Sequence, residues 1–278
     1  MKIYRVKRGI VIENSGTYVT LRGEAWDSFV NDDSLYEKMI HLTNRGDPDP
    51  GAVDEIAHEL LAPVEGQEIW ASGVTYLRSK IGRQEESKKT GGGDFYARVY
   101  DAERPELFFK ATAHRTVGSG GEVRIRKDSS WNVPEPELTL VVTSSGTIVG
   151  YTIGNDMSSR SIEGENPLYL PQAKTYDGCC AIGPCILVTR KPLAGDTQIL
   201  MTIRRNGVPV VEGDVAIDRI KRRPEELVQF LFRECTFPHG CLLLTGTGII
   251  PPGDFTLARG DEIRITIEPI GTLINTVG

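Results

Sequence analysis

Residues 133–184 read VPEPELTLVVTSSGTIVGYTIGNDMSSRSIEGENPLYLPQAKTYDGCCAIGP, and their pattern decides how the rest of the chain is read. Glu135 and Glu137 stand two apart, at strand spacing, so their side chains point to one face. The apolar run LTLVV follows. Ser144, Ser145 and Gly146 form a turn, and the return run VGYTIGND brings a third carboxylate, Asp156, toward the first two. Carboxylates at the mouth of a buried strand need a partner or a metal. Three of them suit a hard divalent cation, leaving about three octahedral positions for water and substrate. Lys174 lies between LYLPQA and the small, apolar GCCAIGP, a poor setting for a solvated lysine. A partly buried lysine beside a cation loses proton affinity and can act as a base.

Outward from this stretch the chain is mostly β. Toward the N-terminus, IYRVKRGIVIE and TYVTLRG alternate like strands around a turn at 13–16, and two helical patterns follow, SLYEKMIHL and AVDEIAHELL. Residues 1–65 therefore read as a small α+β unit and residues 66–278 as a larger, mainly β catalytic unit. Ser72–Gly73 would let the backbone bend near a site. The polar run 84–89 and Gly91–Gly93 have the makeup of a plain surface loop or of a lid. Downstream, Asn206–Gly207 marks a hairpin, and Pro224 opens a helix. Strands and helices do not alternate regularly, which argues against a doubly wound parallel sheet.

Composition narrows the function classes. The 278 residues carry a formal net charge of −6, with 25% charged and 39% hydrophobic residues. Basic clusters such as Arg204–Arg205 and Lys221–Arg223 are short, so nucleic acid is not an expected partner. The five cysteines have no regular spacing and form no CxxC pair, which argues against a disulfide framework or a zinc knuckle. Adjacent Cys179 and Cys180 read as packing residues. There is no apolar h-region at the start and no apolar run of membrane-spanning length. The expected setting is the cytoplasm, with no membrane partner.

The motifs ASGVTY (71–76), DFY (94–96), PEPEL (134–138), GNDMSSR (154–160), QAKTYDGCCAIGP (172–184) and LLTGT (243–247) together resemble the fumarylacetoacetate hydrolase family, over about residues 66–278. The resemblance implies that family's mixed β-roll behind a small N-terminal α+β domain, and a homodimer or homotetramer. It implies Mg²⁺, with Ca²⁺ or Mn²⁺ as alternatives, held by Glu135, Glu137 and Asp156, with Lys174 as the active-site lysine. Within the family, ERPELFFKAT (103–112) followed by SSWNVPEPEL resembles the branch that dehydrates 2-keto-3-deoxy-D-arabinonate. Glu106 matches that branch's active-site glutamate.

None of His41, His58, His114 and His239 sits where the family's hydrolases place a catalytic histidine. That favours elimination over C–C hydrolysis of an acylpyruvate or diketone. Oxaloacetate decarboxylation and metal-dependent binding of a 2-oxo acid without turnover remain as alternatives. The expected substrate is a small 2-oxo acid, with Asp94, Lys110, Arg78 and Thr247 as candidate contacts. Asp94 is equally a further metal ligand or a turn cap. His114 and Arg115 read as a surface turn.

Overall fold

The computed structural model describes residues 1–86 and 98–278. A ten-stranded mixed sheet forms its centre. Along the sheet the strands run Thr17–Arg22, Gly9–Asn14, Lys2–Val6, Cys180–Leu187, Ile148–Asp156, Pro136–Val142, Cys241–Leu244, Glu68–Gly73 and Glu106–Ala111, and the short strand Thr116–Val117 also pairs with Cys180–Leu187. A five-stranded sheet of Val208–Ala216, Gln198–Arg205, Glu262–Ile267, Gly271–Val277 and Glu122–Val123 packs against it. A two-stranded piece pairs Asn132–Val133 with Ser158–Ser159. The architecture is α+β and mainly β, as expected.

The core follows from the two-residue period of the central strands. Leu138, Leu140 and Val142 point into the space between the two large sheets, where they meet Ile199, Met201 and Ile265. Val141 points the other way, into a second cluster with Trp26, Phe29, Leu35 and Met39 from the N-terminal helices. Pro136–Val142 is buried at every position, so this strand has a core on both faces and no room for a solvated charge. Asp33 of the N-terminal region also accepts hydrogen bonds from Thr143 and Ser145 at the turn that joins the strand to its neighbour.

Residues 1–65 are tied into the same sheet as the rest. Lys2–Val6 pairs antiparallel with Cys180–Leu187, Lys2 opposite Leu187, so the sheet runs through the division expected at residue 65. The turns read at 13–16 and at Asn206–Gly207 form hairpins with left-handed residues. Ser15 and Gly16 have φ 52° and 82°, and Asn206 and Gly207 have 52° and 79°, the twist that suits a two-residue hairpin. The helix Pro224–Leu231 has its proline in the first turn.

Candidate active site

The antiparallel register brings the carboxylates together. Glu137 lies opposite Gly154, and the Asp156 amide donates to the Glu135 carbonyl at 2.9 Å. Residues facing each other across an antiparallel pair share a face, so Glu135, Glu137 and Asp156 converge. Their ligand oxygens lie within 4.8 Å of one another and all three residues are buried. Gly154 lets the two strands and Leu244 pack closely beside the triad: a Cβ there would come to 2.4 Å from Thr139 Oγ1 and 2.9 Å from the Leu244 side chain.

Around the triad each carboxylate has a protein partner. Lys174, at the end of the short helix Leu170–Lys174, places Nζ 2.5 Å from Glu135 Oε2 and 2.9 Å from Asp156 Oδ2. Arg160 Nη1 lies 3.4 Å from Glu135 Oε1 and 3.6 Å from Glu163 Oε2. Ser158 Oγ donates to Glu163 Oε2 at 2.9 Å. The Gly246 amide donates to Glu137 Oε2 at 2.5 Å. Burial, with the charges of Asp156 and Glu135 beside it, pushes the Glu137 carboxyl well above its ordinary range.

The residue types fit a divalent cation. Glu106, Glu135, Glu137, Asp156 and Glu163 line the cavity with Arg160 and Lys174, and Lys110 stands just behind. Glu135, Glu137 and Asp156 present hard carboxylate oxygens within 4.8 Å of one another, the donor type that Mg²⁺ takes, and a divalent ion there would offset their mutual repulsion. The open space measures about 20 Å³, room for one ion or water.

The expected site residues divide clearly. Glu106 lies at the start of Glu106–Ala111, across from Gly73, and lines the cavity. Thr247 lines it too, though its hydroxyl bonds the main chain of Ile249. Lys110, expected as a substrate contact, does not line the cavity. It is fully buried, lies 2.6 Å from Asp156 Oδ1, and donates to the Met157 carbonyl at 2.9 Å and to the Lys174 carbonyl. Burial is the largest single influence and works against its charge, but Asp156 together with Cys179 and Cys180 raises its pKa overall. Lys110 therefore holds the Asp156 carboxylate and the Lys174 main chain from behind.

Removing one member of a buried ion pair strands the other charge, and with Lys174 still beside Asp156 the cost is about 3 kcal/mol. Lys110→Met is expected to lose about that much in urea denaturation, and a loss under ~1 kcal/mol would show that Lys110 does not neutralise Asp156.

Arg78, the other expected contact, is exposed and does not line the cavity, whereas its neighbour Ser79 does. Asp94 and Gly91–Gly93 lie outside the described residues. His114 and Arg115 sit in a surface 3-10 turn, and Cys179 and Cys180 are fully buried packing residues. Sequence reading passed over Arg160 and Glu163. Their three-residue spacing on the helix directly after Asp156 was visible, but only the fold shows that both are buried.

The model of the fumarylacetoacetate (FAA) hydrolase C-terminal region matches residues 69–278. The chain belongs to this family. Relatives with recorded activities share much of its length. A probable 2-keto-3-deoxyxylonate dehydratase of Haloferax volcanii is 49% identical over 233 residues, 82% of this chain and 79% of the relative. A 2-dehydro-3-deoxy-D-arabinonate dehydratase of Saccharolobus solfataricus is 46% identical over 219 residues, 77% of this chain and 73% of the relative.

Among solved structures of the fumarylacetoacetate hydrolase family, a 2-keto-3-deoxy-D-arabinonate dehydratase complexed with magnesium and 2,5-dioxopentanoate matches over 100% of this chain and 98% of its own. Its TM-score is 0.84 at 36% identity. The resemblance read from the motifs therefore holds across the whole fold. No helix among the described residues is long and apolar enough to cross a membrane.

Proposed function

We propose that this chain is a Mg²⁺-dependent hydro-lyase that converts 2-keto-3-deoxy-D-arabinonate to 2,5-dioxopentanoate and water. One observation carries the reading: a buried acidic triad, a lysine and the glutamate that opens the strand Glu106–Ala111 meet in one cavity, in a chain 46–49% identical to dehydratases of such acids. Glu135, Glu137 and Asp156 would hold the ion. Bound there, a divalent ion supplies positive charge against the negative charge that develops on the C2 oxygen when C3 loses a proton.

The side chains divide the remaining work. Lys174 accepts the C3 proton, its own proton affinity lowered by added positive charge beside it. Glu106 protonates the C4 hydroxyl as it leaves as water. The unsaturated acid then tautomerises to the C5 aldehyde. Arg160 and Glu163 fix the angle of the Glu135 carboxylate. A five-carbon substrate exceeds the open space, so it enters as wall side chains move aside. Ca²⁺ or Mn²⁺ would fit the same oxygens.

Gly73 offers a test of Glu106 that leaves its carboxylate in place. A Cβ at position 73 would fall 2.0 Å from Glu106 Oε2, the flexible end of that side chain. Gly73→Ala is expected to push the carboxylate aside and lower turnover by about 100-fold, with a melting temperature close to wild type. Turnover within threefold of wild type would remove Glu106 from the chemistry.

The function itself is tested by supplying the protein and Mg²⁺ with 2-keto-3-deoxyarabinonate, acetylpyruvate and oxaloacetate in turn. Formation of 2,5-dioxopentanoate from the first supports the reading. Acetate and pyruvate from the second, or decarboxylation of the third, at higher kcat/KM overturns it. We place the enzyme in the cytoplasm as a homodimer or homotetramer, in keeping with the family, and light scattering tests the assembly.

A further inference from the structure

A second cavity, of about 250 Å³, backs onto the catalytic one. Three stretches of chain wall off one from the other. Val74, Glu137 and Gly246 face the catalytic cavity, while Tyr76, Leu138 and Thr245 face the second. At strand spacing, adjacent residues point to opposite sides, which explains the pair 137/138, while Thr245 and Gly246 lie just past the strand Cys241–Leu244, with Gly246 at φ 97°. Val74, a β-branched residue at φ 52°, turns the chain between the two cavities, and non-glycine residues rarely adopt that conformation. None of the carboxylates described above lines the second cavity.

Its lining has the character of a small-molecule site. Leu138, Leu193, Ile217 and Ile220 supply apolar wall. Tyr76 is 2% exposed and Tyr151 9%, and neither phenol has a hydrogen-bond partner among the described residues, although both line the cavity. Buried tyrosines normally satisfy the O–H group, and concave apolar pockets with a few convergent polar groups are where small ligands bind. Buried Arg222 pairs with Glu226 at 2.8 Å, and the formal charges of the lining residues Arg222, Arg223, Asp218 and Glu225 cancel. An apolar cavity of roughly 150 Å³ is enough to bind benzene. This one has room for a ring with a substituent.

We propose that the cavity bounded by Tyr76, Leu138, Tyr151 and Leu193 binds a small neutral amphipathic molecule: a ring-sized apolar body with one oxygen that hydrogen-bonds the Tyr76 hydroxyl. This site is separate from the catalytic one and does not depend on the reaction assigned there.

The probe is 4-fluorophenol, uncharged at neutral pH as a tyrosine side chain is, followed by fluorine NMR on the full chain. Saturable one-site binding to wild type is expected. Leu193→Trp, which fills the cavity from a loop away from the catalytic residues, is expected to weaken it at least tenfold. Tyr76→Phe should weaken it about fivefold, and 4-fluorobenzoate should bind at least tenfold more weakly than the phenol. If Leu193→Trp melts well below wild type, Ile217→Trp takes its place. Absence of saturable binding, unchanged binding in a folded filling variant, or tighter binding of the benzoate overturns the proposal.

Discussion

Lys174→Met is expected to cut turnover of 2-keto-3-deoxyarabinonate by about 10²–10⁴-fold, the usual contribution of a positioned general base. The geometry makes a second forecast about the same variant. In this structure the Lys174 ammonium occupies the mouth of the triad, bonding one oxygen each of Glu135 and Asp156. Losing it leaves those two carboxylates more exposed to each other's charge, which destabilises the ion-free protein. The same change removes a cation that an incoming ion must share oxygens with. Mg²⁺ affinity, measured by calorimetry, should therefore be retained or rise, while the melting temperature of the ion-free protein falls. Methionine fills a similar volume, so the comparison isolates the charge. Turnover within tenfold of wild type would show that another group takes the C3 proton.

Glu137→Ala is expected to act on the ion itself. Substitutions of groups that merely orient metal ligands cost 10–100-fold in affinity, so removing a ligand should lower Mg²⁺ affinity by more than about 100-fold and abolish turnover at ordinary Mg²⁺. Stability is the poorer readout. The Gly246 amide loses its acceptor, at a cost of about 1–3 kcal/mol, but the cluster also loses a carboxyl that burial and two neighbouring carboxylates hold well above its ordinary range. The two effects oppose each other. Titration of EDTA-treated protein with Mg²⁺ decides the matter, and unchanged affinity would place the ion elsewhere.

Together the two variants separate roles that loss of activity alone would blur. One keeps the ion and loses the chemistry, and the other loses both. Lys110→Met adds a third case, in which the carboxylate remains but its support is gone. Asp156 then keeps Lys174 as its partner, so the loss reads first in stability.

Much of the site was legible because its parts are local. Glu135 and Glu137 share a strand, and period two alone puts them on one face. The Ser144–Gly146 turn predicts a return strand, and a return strand that ends in Asp156 brings the third carboxylate near the first two. Lys174 stood out because its neighbours are small and apolar. The helix at Pro224 and the hairpin at Asn206–Gly207 were equally local signals.

Lys110 shows where that kind of reading stops. LFFKAT gives no sign of which way the lysine points, and a lysine in a strand is usually solvated. It is buried here because Glu106–Ala111 lies alongside Glu68–Gly73 and Asp156 meets its ammonium. Arg78 erred the other way: one step along a helix separates a cavity-lining position, Ser79, from an exposed one.

The sequence by itself determined the mainly β α+β class, the family, the acidic triad and the lysine, because each rests on residue spacing within one strand or turn, or on motifs in fixed order. Only the tertiary structure decided which charges oppose which. Glu106 meets the triad across the sheet, Lys110 braces it from behind, Arg160 links Glu135 to Glu163, and the N-terminal strands extend the same sheet. These depend on pairings between segments tens of residues apart. At that separation the outcome is set by which faces can be buried together and which buried charges can be balanced, and no local pattern encodes either.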